Sequence, residues 1–270
     1  MTATQPLTRR PIVADAIHSE WVKLSTTRST YWALLTATVG MTGFGALLCA
    51  AYTRHDSGLT PSARAAFDPA AYSLSGFFLG QLAVAVLGVL TITGEYAGGT
   101  IRPTLAATPQ RTTVLAAKAV VFTVIAIATG TVMSLVAFFT GQAILSSTGS
   151  RAHITDPGTI RSVAGAVLYL TVLGLLALGL GTIIRRTAGA VAAVTGLVII
   201  LPVLVQGLPA AWQNAVARYL PSAAGQAIIG RTKFTPHGPM LPPWPGFAVF
   251  CAYTAAVLAV SALLLSKRDS

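Results

Sequence analysis

Residues 162–184 read SVAGAVLYLTVLGLLALGLGTII, a run of 23 residues without Asp, Glu, Lys or Arg. A helix needs about 20 largely apolar residues to cross about 30 Å of hydrocarbon. Five further runs of the chain have the same character. The six candidate spans cover residues 31–52, 72–93, 119–145, 162–184, 188–208 and 246–265. The sequence therefore predicts a protein that crosses a membrane six times.

The composition of the chain agrees with this prediction. Hydrophobic residues make up 54% of the 270 residues and charged residues only 9%, whereas about a quarter of a soluble domain is charged. A disordered chain and a disulfide scaffold are both excluded, the latter because there are only two cysteines. The apolar runs do not alternate as the strands of a barrel do. We expect an all-α polytopic membrane protein whose single transmembrane domain covers residues 1–270.

The basic residues predict the orientation. An even number of spans puts both termini on one side, and the segments on that side carry eleven Lys and Arg residues against seven on the other. Three of those seven lie in the long 209–245 loop. The positive-inside rule then predicts a protein of the cell membrane with both termini on the cytoplasmic side. The net charge of +11 indicates contact with anionic lipid rather than nucleic acid, because no basic patch is interleaved with aromatic residues.

Residues 11–28 form a candidate amphipathic helix. Val13, Ile17, Trp21 and Leu24 fall on one face at helical spacing. We expect this helix to lie in the membrane interface with Trp21 as its anchor. The alternative is a simple cytoplasmic lead-in to the first span.

The segment 94–118 joins the second and third candidate spans. Glu95 stands close to the end of a span and must pair or face water, and Arg102 is one candidate partner. Gly98 and Gly99 allow a sharp change of direction. We expect a short structured element against the cytoplasmic face, and the alternative is an ordinary loop with one surface ion pair.

The prolines, the 209–245 loop and the glycines of the spans support weaker predictions. Pro202 predicts a kink in the fifth span, or else a break. The 209–245 loop begins with an amphipathic segment in which Trp212, Val216 and Tyr219 share one face. We expect this face to dip into the outer interface or to cap the bundle, and the alternative is a solvated loop. The prolines from 236 to 245 are expected to exclude regular structure. Glycines in the second and fourth spans, namely Gly76, Gly80, Gly174, Gly179 and Gly181, allow close helix approach.

Several kinds of chemistry have no motif here. The chain has no Gly-x-x-x-x-Gly-Lys-Ser/Thr, no His-Glu-x-x-His and no Cys-x-x-Cys. We therefore expect no nucleotide-binding site, metal or cofactor, and no enzyme activity. Gln81, Gln142 and Gln206 are expected to make interhelical hydrogen bonds. An ion-coupled carrier is disfavoured because the spans carry no acidic residue, so the energy for any transport must come from elsewhere.

Three segments together resemble one family. They are residues 20–32 (EWVKLSTTRSTYW), residues 95–105 (EYAGGTIRPTL) with the following Pro109-Gln110-Arg111, and residues 220–227 (LPSAAGQA). They are similar to the permease subunits of export-type ABC transporters, the type-two permease family, in its actinobacterial form. The span count and the long last outer loop agree with this resemblance.

The resemblance implies several features. The N-terminal helix lies along the inner leaflet, and the loop after the second span carries a coupling helix that docks on a separate ATPase subunit. The last outer loop holds short helices near the exit, and two permeases work with two ATPases. The coupling element would include Glu95, Tyr96, Gly98, Thr100, Ile101, Arg102 and Leu105.

The resulting hypothesis is a permease that moves a hydrophobic or amphiphilic substrate outward by ATP-driven alternating access. Its expected partners are an ABC ATPase, a second identical or homologous permease, and membrane lipid. Glu95 would fix the coupling element to the membrane helices. The alternative from another class is a non-transporting membrane anchor or regulatory partner of a cytoplasmic protein.

Overall fold

The computed structural model describes residues 12–55, 60, 67–99, 111–230 and 241–267. Every regular element within these residues is a helix, and six helical stretches are long and apolar enough to cross a membrane. They cover Thr30–His55, Pro69–Ala97, Thr112–Thr148, Thr159–Ile184, Thr187–Gln206 and Pro243–Lys267. The prediction of an all-α protein with six spans is confirmed. The third stretch begins at Thr112 rather than at residue 119, so it takes in Lys118.

The described residues of the first half of the chain form five helices. They are α1 (Ile12–Thr26), α2 (Arg28–His55), α3 (Pro69–Ser73), α4 (Phe77–Ala97) and α5 (Arg111–Leu145). A 3-10 turn, Leu74–Gly76, joins α3 to α4, so the three pieces form the second span. The α3 helix is capped by Asp68, whose carboxylate accepts a hydrogen bond of 3.1 Å from the Ala71 amide.

The second half contains the remaining helices, α6 (Thr159–Ile184), α7 (Thr187–Gln206), α8 (Ala210–Val216), α9 (Pro221–Gln226) and α10 (Pro243–Lys267). Short 3-10 turns follow α8 and α9, at Ala217–Tyr219 and Ala227–Ile229. We call the end of the bundle where α4, α6 and α10 terminate the proximal end. The opposite end, which carries α3, α8 and α9, is the distal end.

Two helices form the centre of the bundle. In the second and fourth spans, which contain α4 and α6, 67% of the most apolar 18-residue segment is buried inside the chain. The corresponding share is 22% in the first, fifth and sixth spans, which contain α2, α7 and α10. The two central helices pack on one another, α2 and α5 pack along one side, and α10 packs against α6. The short helix α1 packs against α5. The outer faces of α2, α7 and α10 carry exposed apolar side chains, which suits helices that face lipid.

Glycines set the closest helix contacts, as the sequence predicted. A β-carbon at Gly76 would collide with the backbone of Met41, which shows that the second span touches α2 without an intervening side chain. Gly174 makes room for the ring of Phe122 in the same way. The sequence analysis did not single out Gly88, which faces the carbonyl of Gly174 across the contact between α4 and α6.

The structure bears on two expectations about prolines. Helical conformation runs without a break from Thr187 to Gln206, so the expected break at Pro202 is absent, while the expected kink stays a prediction. A π-helical stretch, Gly196–Ile200, directly precedes this proline. The expectation that the late prolines exclude regular structure is wrong for Pro243 and Pro245, because α10 begins at Pro243. Proline is tolerated in the first turn of a helix, where its missing amide would have no intrahelical partner.

The chain that follows α8 partly enters the bundle. The segment from Leu220 to Ile229 is largely buried, and Gly225 lies against the rings of Tyr169 and Phe250. The predicted apolar face precedes this segment and is exposed at Trp212, Val216 and Tyr219, with Trp212 at 64%. Its contact with the outer interface stays a prediction.

Side-chain hydrogen bonds between elements are present at Gln81 and Gln142, whereas the third predicted glutamine, Gln206, is exposed. The Tyr169 hydroxyl donates to Gln81 Oε1 over 2.7 Å between α6 and α4. Gln142 Nε2 donates to the Ser73 hydroxyl over 2.8 Å, and Gln142 Oε1 accepts from the Ala152 amide over 2.6 Å.

Candidate partner-docking site

The predicted coupling residues begin in the last turn of α4. Glu95 and Tyr96 are helical, and Gly98 closes the helix by donating its amide proton to the Gly94 carbonyl over 2.9 Å. Gly99 has a φ of +68°, a left-handed conformation that glycine adopts without steric cost. The helix therefore ends at this glycine pair, and the predicted change of direction stays a prediction because the chain after Gly99 lies outside the described residues. Thr100, Ile101, Arg102 and Leu105 lie outside the described residues.

Glu95 belongs to a cluster of four charged side chains. Its Oε1 atom accepts hydrogen bonds from Lys118 Nζ over 2.8 Å and from Lys23 Nζ over 2.7 Å. Both ammonium groups also bind Glu20, with Lys118 Nζ 2.6 Å from Oε2 and Lys23 Nζ 2.8 Å from Oε1. We call these four residues the charge cluster. It links α1, α4 and α5 at one point, since each helix contributes at least one member.

The cluster is buried unevenly. Lys118 is 1% exposed, Glu20 is 2% exposed and Glu95 is 9% exposed, while the side chain of Lys23 keeps 43% of its surface. A buried charge is costly unless it is paired, and removing one member of a buried pair typically costs about 3–5 kcal/mol. Two carboxylates and two ammonium groups cancel in charge, so the cluster fixes the relative position of its three helices while leaving no net charge there.

The pKa of Lys23 reflects this arrangement. Partial burial alone would lower it, but the hydrogen bonds to Glu20 and Glu95 and the charges of both carboxylates reverse the effect. The net result is a pKa raised above the ordinary value of 10.5. Lys23 therefore stays an ammonium at physiological pH, and its role here is to hold carboxylates rather than to exchange protons.

Tyr96 ties the other side of α4 to the turn between α6 and α7. The guanidinium carbon of Arg185 lies 5.4 Å from the centre of the Tyr96 ring, which is within cation–π range. Arg185 itself has a φ of 61°, the only positive φ at a non-glycine residue of the described chain. Close by, the Thr187 hydroxyl donates to the Thr93 hydroxyl over 3.0 Å. The end of α4 is thus held both by the charge cluster and by the turn between α6 and α7.

A cavity of about 300 Å³ lies beside the charge cluster. Its polar lining includes Glu20, Lys23 and Lys118, and its apolar lining includes Leu87 and Leu90. The other carboxylate oxygen of Glu95, Oε2, is buried and has no hydrogen-bond partner within the described part of the chain. The proposed Arg102 partner lies outside that part, so the structure offers Lys23 and Lys118 in its place.

The predicted anchor residue lies on the opposite face of α1. Trp21 is 44% exposed, and Val13 on the same stripe is also exposed. The buried face of α1 is instead formed by Ala16 and Glu20, which pack toward α5. The helix is therefore amphipathic in an unusual sense: its charged Glu20 points inward and its tryptophan points out. This placement agrees with an outward apolar stripe, and the interfacial position of Trp21 stays a prediction.

Glu20, Lys23 and Lys118 were not predicted as site residues. Glu20 bordered the apolar stripe of the N-terminal helix, and Lys118 stood one residue before the third predicted span. Two features of the sequence could have predicted the cluster. Glu20 and Lys23 are three residues apart on one helix, and Glu95 and Lys118 stand at the adjoining ends of two spans. Among the described residues, no group of three or more His, Cys, Asp or Glu side chains is arranged to hold a metal ion.

Comparison with known proteins adds one finding. A family model described as "ABC-2 family transporter protein" matches residues 11–270, which include α1, all six spans and the charge cluster. No curated protein matches the chain.

Proposed function

The chain belongs to the ABC-2 family of transporter proteins, and from this premise we propose that it is the permease subunit of an ATP-driven exporter. The family makes it a multi-pass membrane component of a transporter that pairs with an ABC ATPase component. In the proposed assembly this subunit forms the translocation path together with a second permease. The observation that carries the proposal is the attachment of Glu95 and Tyr96 at the proximal end of α4.

The attachment supports a lever mechanism. In the proposal, the element that begins at Glu95 docks on the ATPase, and closure of the ATPase displaces the end of α4. The charge cluster passes that displacement to α1 and α5, and the contact between Tyr96 and Arg185 passes it to the turn between α6 and α7. Packed helices move as rigid bodies, so a small shift at this end opens a path between two permeases. Alternating access follows when ATP shifts the balance between two such arrangements.

The proposed orientation places the proximal end in the cytosol. It rests on the excess of basic residues in the segments at that end. Trp21 then lies at the inner leaflet, where amphipathic aromatic rings are favoured. The substrate moves outward, and the apolar spans favour a hydrophobic or amphiphilic one.

Replacing Glu95 by Ala tests the role of the attachment. We expect lower ATP hydrolysis by the reconstituted permease–ATPase complex and slower outward movement of a fluorescent amphiphile in inside-out vesicles. Membrane insertion should be unchanged, because the six apolar spans are unaltered. Asp15→Ala is a matched control, since Asp15 is an exposed carboxylate on α1.

Two outcomes would count against this function. Wild-type transport and wild-type ATPase turnover in Glu95→Ala would show that the attachment does not transmit motion. An ATPase that co-purifies with the chain but never drives movement of an amphiphile would favour the non-transporting partner instead. Labelling of the Glu95 region from the cell exterior would contradict the orientation.

A further inference from the structure

A second cavity lies between the spans, away from the charge cluster. Its volume is about 390 Å³, within the range of about 300–1,000 Å³ that is usual for small-molecule sites. Its walls include Leu176 of α6, Leu197 and Leu201 of α7, Val257 of α10, and Tyr219 in the turn after α8. Aliphatic side chains dominate the lining, so the interior suits an apolar ligand.

The shape of this cavity follows the helix axes. Leu197 and Leu201 are four residues apart on α7, and Tyr253 and Val257 are four residues apart on α10. Each pair therefore lines one turn of its helix, about 6 Å along the axis. Tyr219 and Tyr253 remain 43% and 41% exposed, so the cavity opens at the surface of the bundle. An extended chain lying parallel to the spans fits this geometry.

The α7 wall has irregular backbone. The π-helical stretch Gly196–Ile200 contains Leu197, and Leu201 follows it directly. Stretches of π-helix are rare and occur frequently at functional sites. Pro202 comes next and has no amide proton to donate. The cavity thus borders the least regular part of the fifth span.

The rim of the cavity carries a positive charge. The guanidinium carbon of Arg218 lies 4.9 Å from the centre of the Tyr219 ring, which is itself part of the lining. The Nε atom of Arg218 is buried and has no hydrogen-bond partner in the described structure. The sequence from 209 to 245 contains Arg218, Arg231 and Lys233 but no Asp or Glu. The group that would complement this rim is an anion.

We propose that the cavity binds the acyl chain of an anionic amphiphile, whose head group lies against Arg218. This inference rests on the proposed export function, because it names the chemical class of the substrate. The chain of the ligand contacts the aliphatic walls, and its phosphate or carboxylate pairs with the guanidinium of Arg218. The cavity lies near the distal end, a position that suits a late stage in the outward movement of the substrate.

The test uses the full chain in nanodiscs of zwitterionic lipid and a dodecyl phosphate probe with a photoreactive diazirine in its chain. Mass spectrometry of the labelled peptides should place the label on the segments that contain Leu197, Leu201 and Val257. Leu201→Trp, which fills the cavity, should reduce this labelling at least about five-fold. Leu204→Trp is the matched control, because Leu204 is 64% exposed on the same helix.

The charge is tested separately with Arg218→Gln. This half-buried residue is not in the packed core, so the variant keeps the test usable if Leu201→Trp does not fold. Loss of a charge-assisted hydrogen bond should weaken binding of the dodecyl phosphate about ten-fold. Binding of a dodecyl chain with a neutral sugar head group should change less than about two-fold.

The source of the amphiphile is decided by competition. Displacement of the probe by phosphatidylglycerol vesicles would identify a bilayer phospholipid, while displacement by single-chain phosphates alone would identify a free amphiphile. Either result supports the site. Labelling that spreads evenly over the lipid-facing helices, or that is insensitive to both variants, would overturn it. Because binding is measured without an ATPase, loss of transport in Glu95→Ala and loss of binding here are separate failures.

Discussion

Replacing Lys118 by Met removes the ammonium group that joins α1 to α4 and retains most of the side-chain volume. The Lys118 ammonium lies 2.6 Å from Glu20 and 2.8 Å from Glu95, and its side chain is 1% exposed. Without it, two largely buried carboxylates share the single ammonium of Lys23. Breaking a buried ion pair on one side typically costs about 3–5 kcal/mol, since a charge is left uncompensated. We expect a loss of that size in the free energy of unfolding.

Unfolding of the purified chain in mixed detergent micelles, followed by circular dichroism, measures this loss. Lys23→Met should cost about 1 kcal/mol or less, because the side chain of Lys23 is 43% exposed. Lys267→Met, at the exposed end of α10, should stay within about 0.5 kcal/mol of wild type. Combining Glu20→Gln with Lys118→Met should recover about half of the loss, since one uncompensated carboxylate is removed. A Lys118→Met protein as stable as Lys267→Met would refute the reasoning.

Three further predictions concern packing, pH and the interhelical hydrogen bonds. Gly88→Ala should cost about 1–3 kcal/mol, because the new methyl meets backbone of α6, whereas Gly43→Ala, with open space around it, should be neutral or stabilising in the same unfolding assay. The pKa of Lys23 is raised in the folded state, so its contribution to stability is complete below about pH 10.5 and is lost as the pH rises through the folded-state pKa. The difference in the free energy of unfolding between wild type and Lys23→Met should therefore be constant from about pH 6 to 9 and should fall above about pH 10.5. Tyr169→Phe leaves the buried Gln81 oxygen without its donor and should cost about 1–3 kcal/mol, and a variant that loses nothing would show that this oxygen finds another donor.

Local properties of the sequence were enough to predict the spans. Length and apolarity decide whether a helix can cross hydrocarbon, and both are read from consecutive residues. The glycines at 76 and 174 were likewise recognisable as points of close approach. The helix ends were harder, because the helices extend past the apolar runs and carry Glu95 and Lys118 into the packed region. Proline at 243 and 245 was misread because its tolerance depends on position within the first turn.

The candidate site was predictable only in part. Glu95 was found because an acidic residue beside a span must be paired or hydrated. Its partners were not found, since Lys23 and Lys118 lie 72 and 23 residues away along the chain. Glu20 and Lys118 are separated by 98 residues. No local sequence pattern predicts which of several basic residues pairs with a given carboxylate.

The amino-acid sequence by itself determined that this is a six-span helical membrane protein, because the cost of burying polar backbone and side chains in lipid acts on every residue separately. The tertiary structure alone decided that Glu20, Lys23, Glu95 and Lys118 meet, and that α6, α7 and α10 enclose a cavity beside Arg218. Contacts of this kind depend on how helices pack against one another, and packing is a property of surfaces that are assembled from distant parts of the chain.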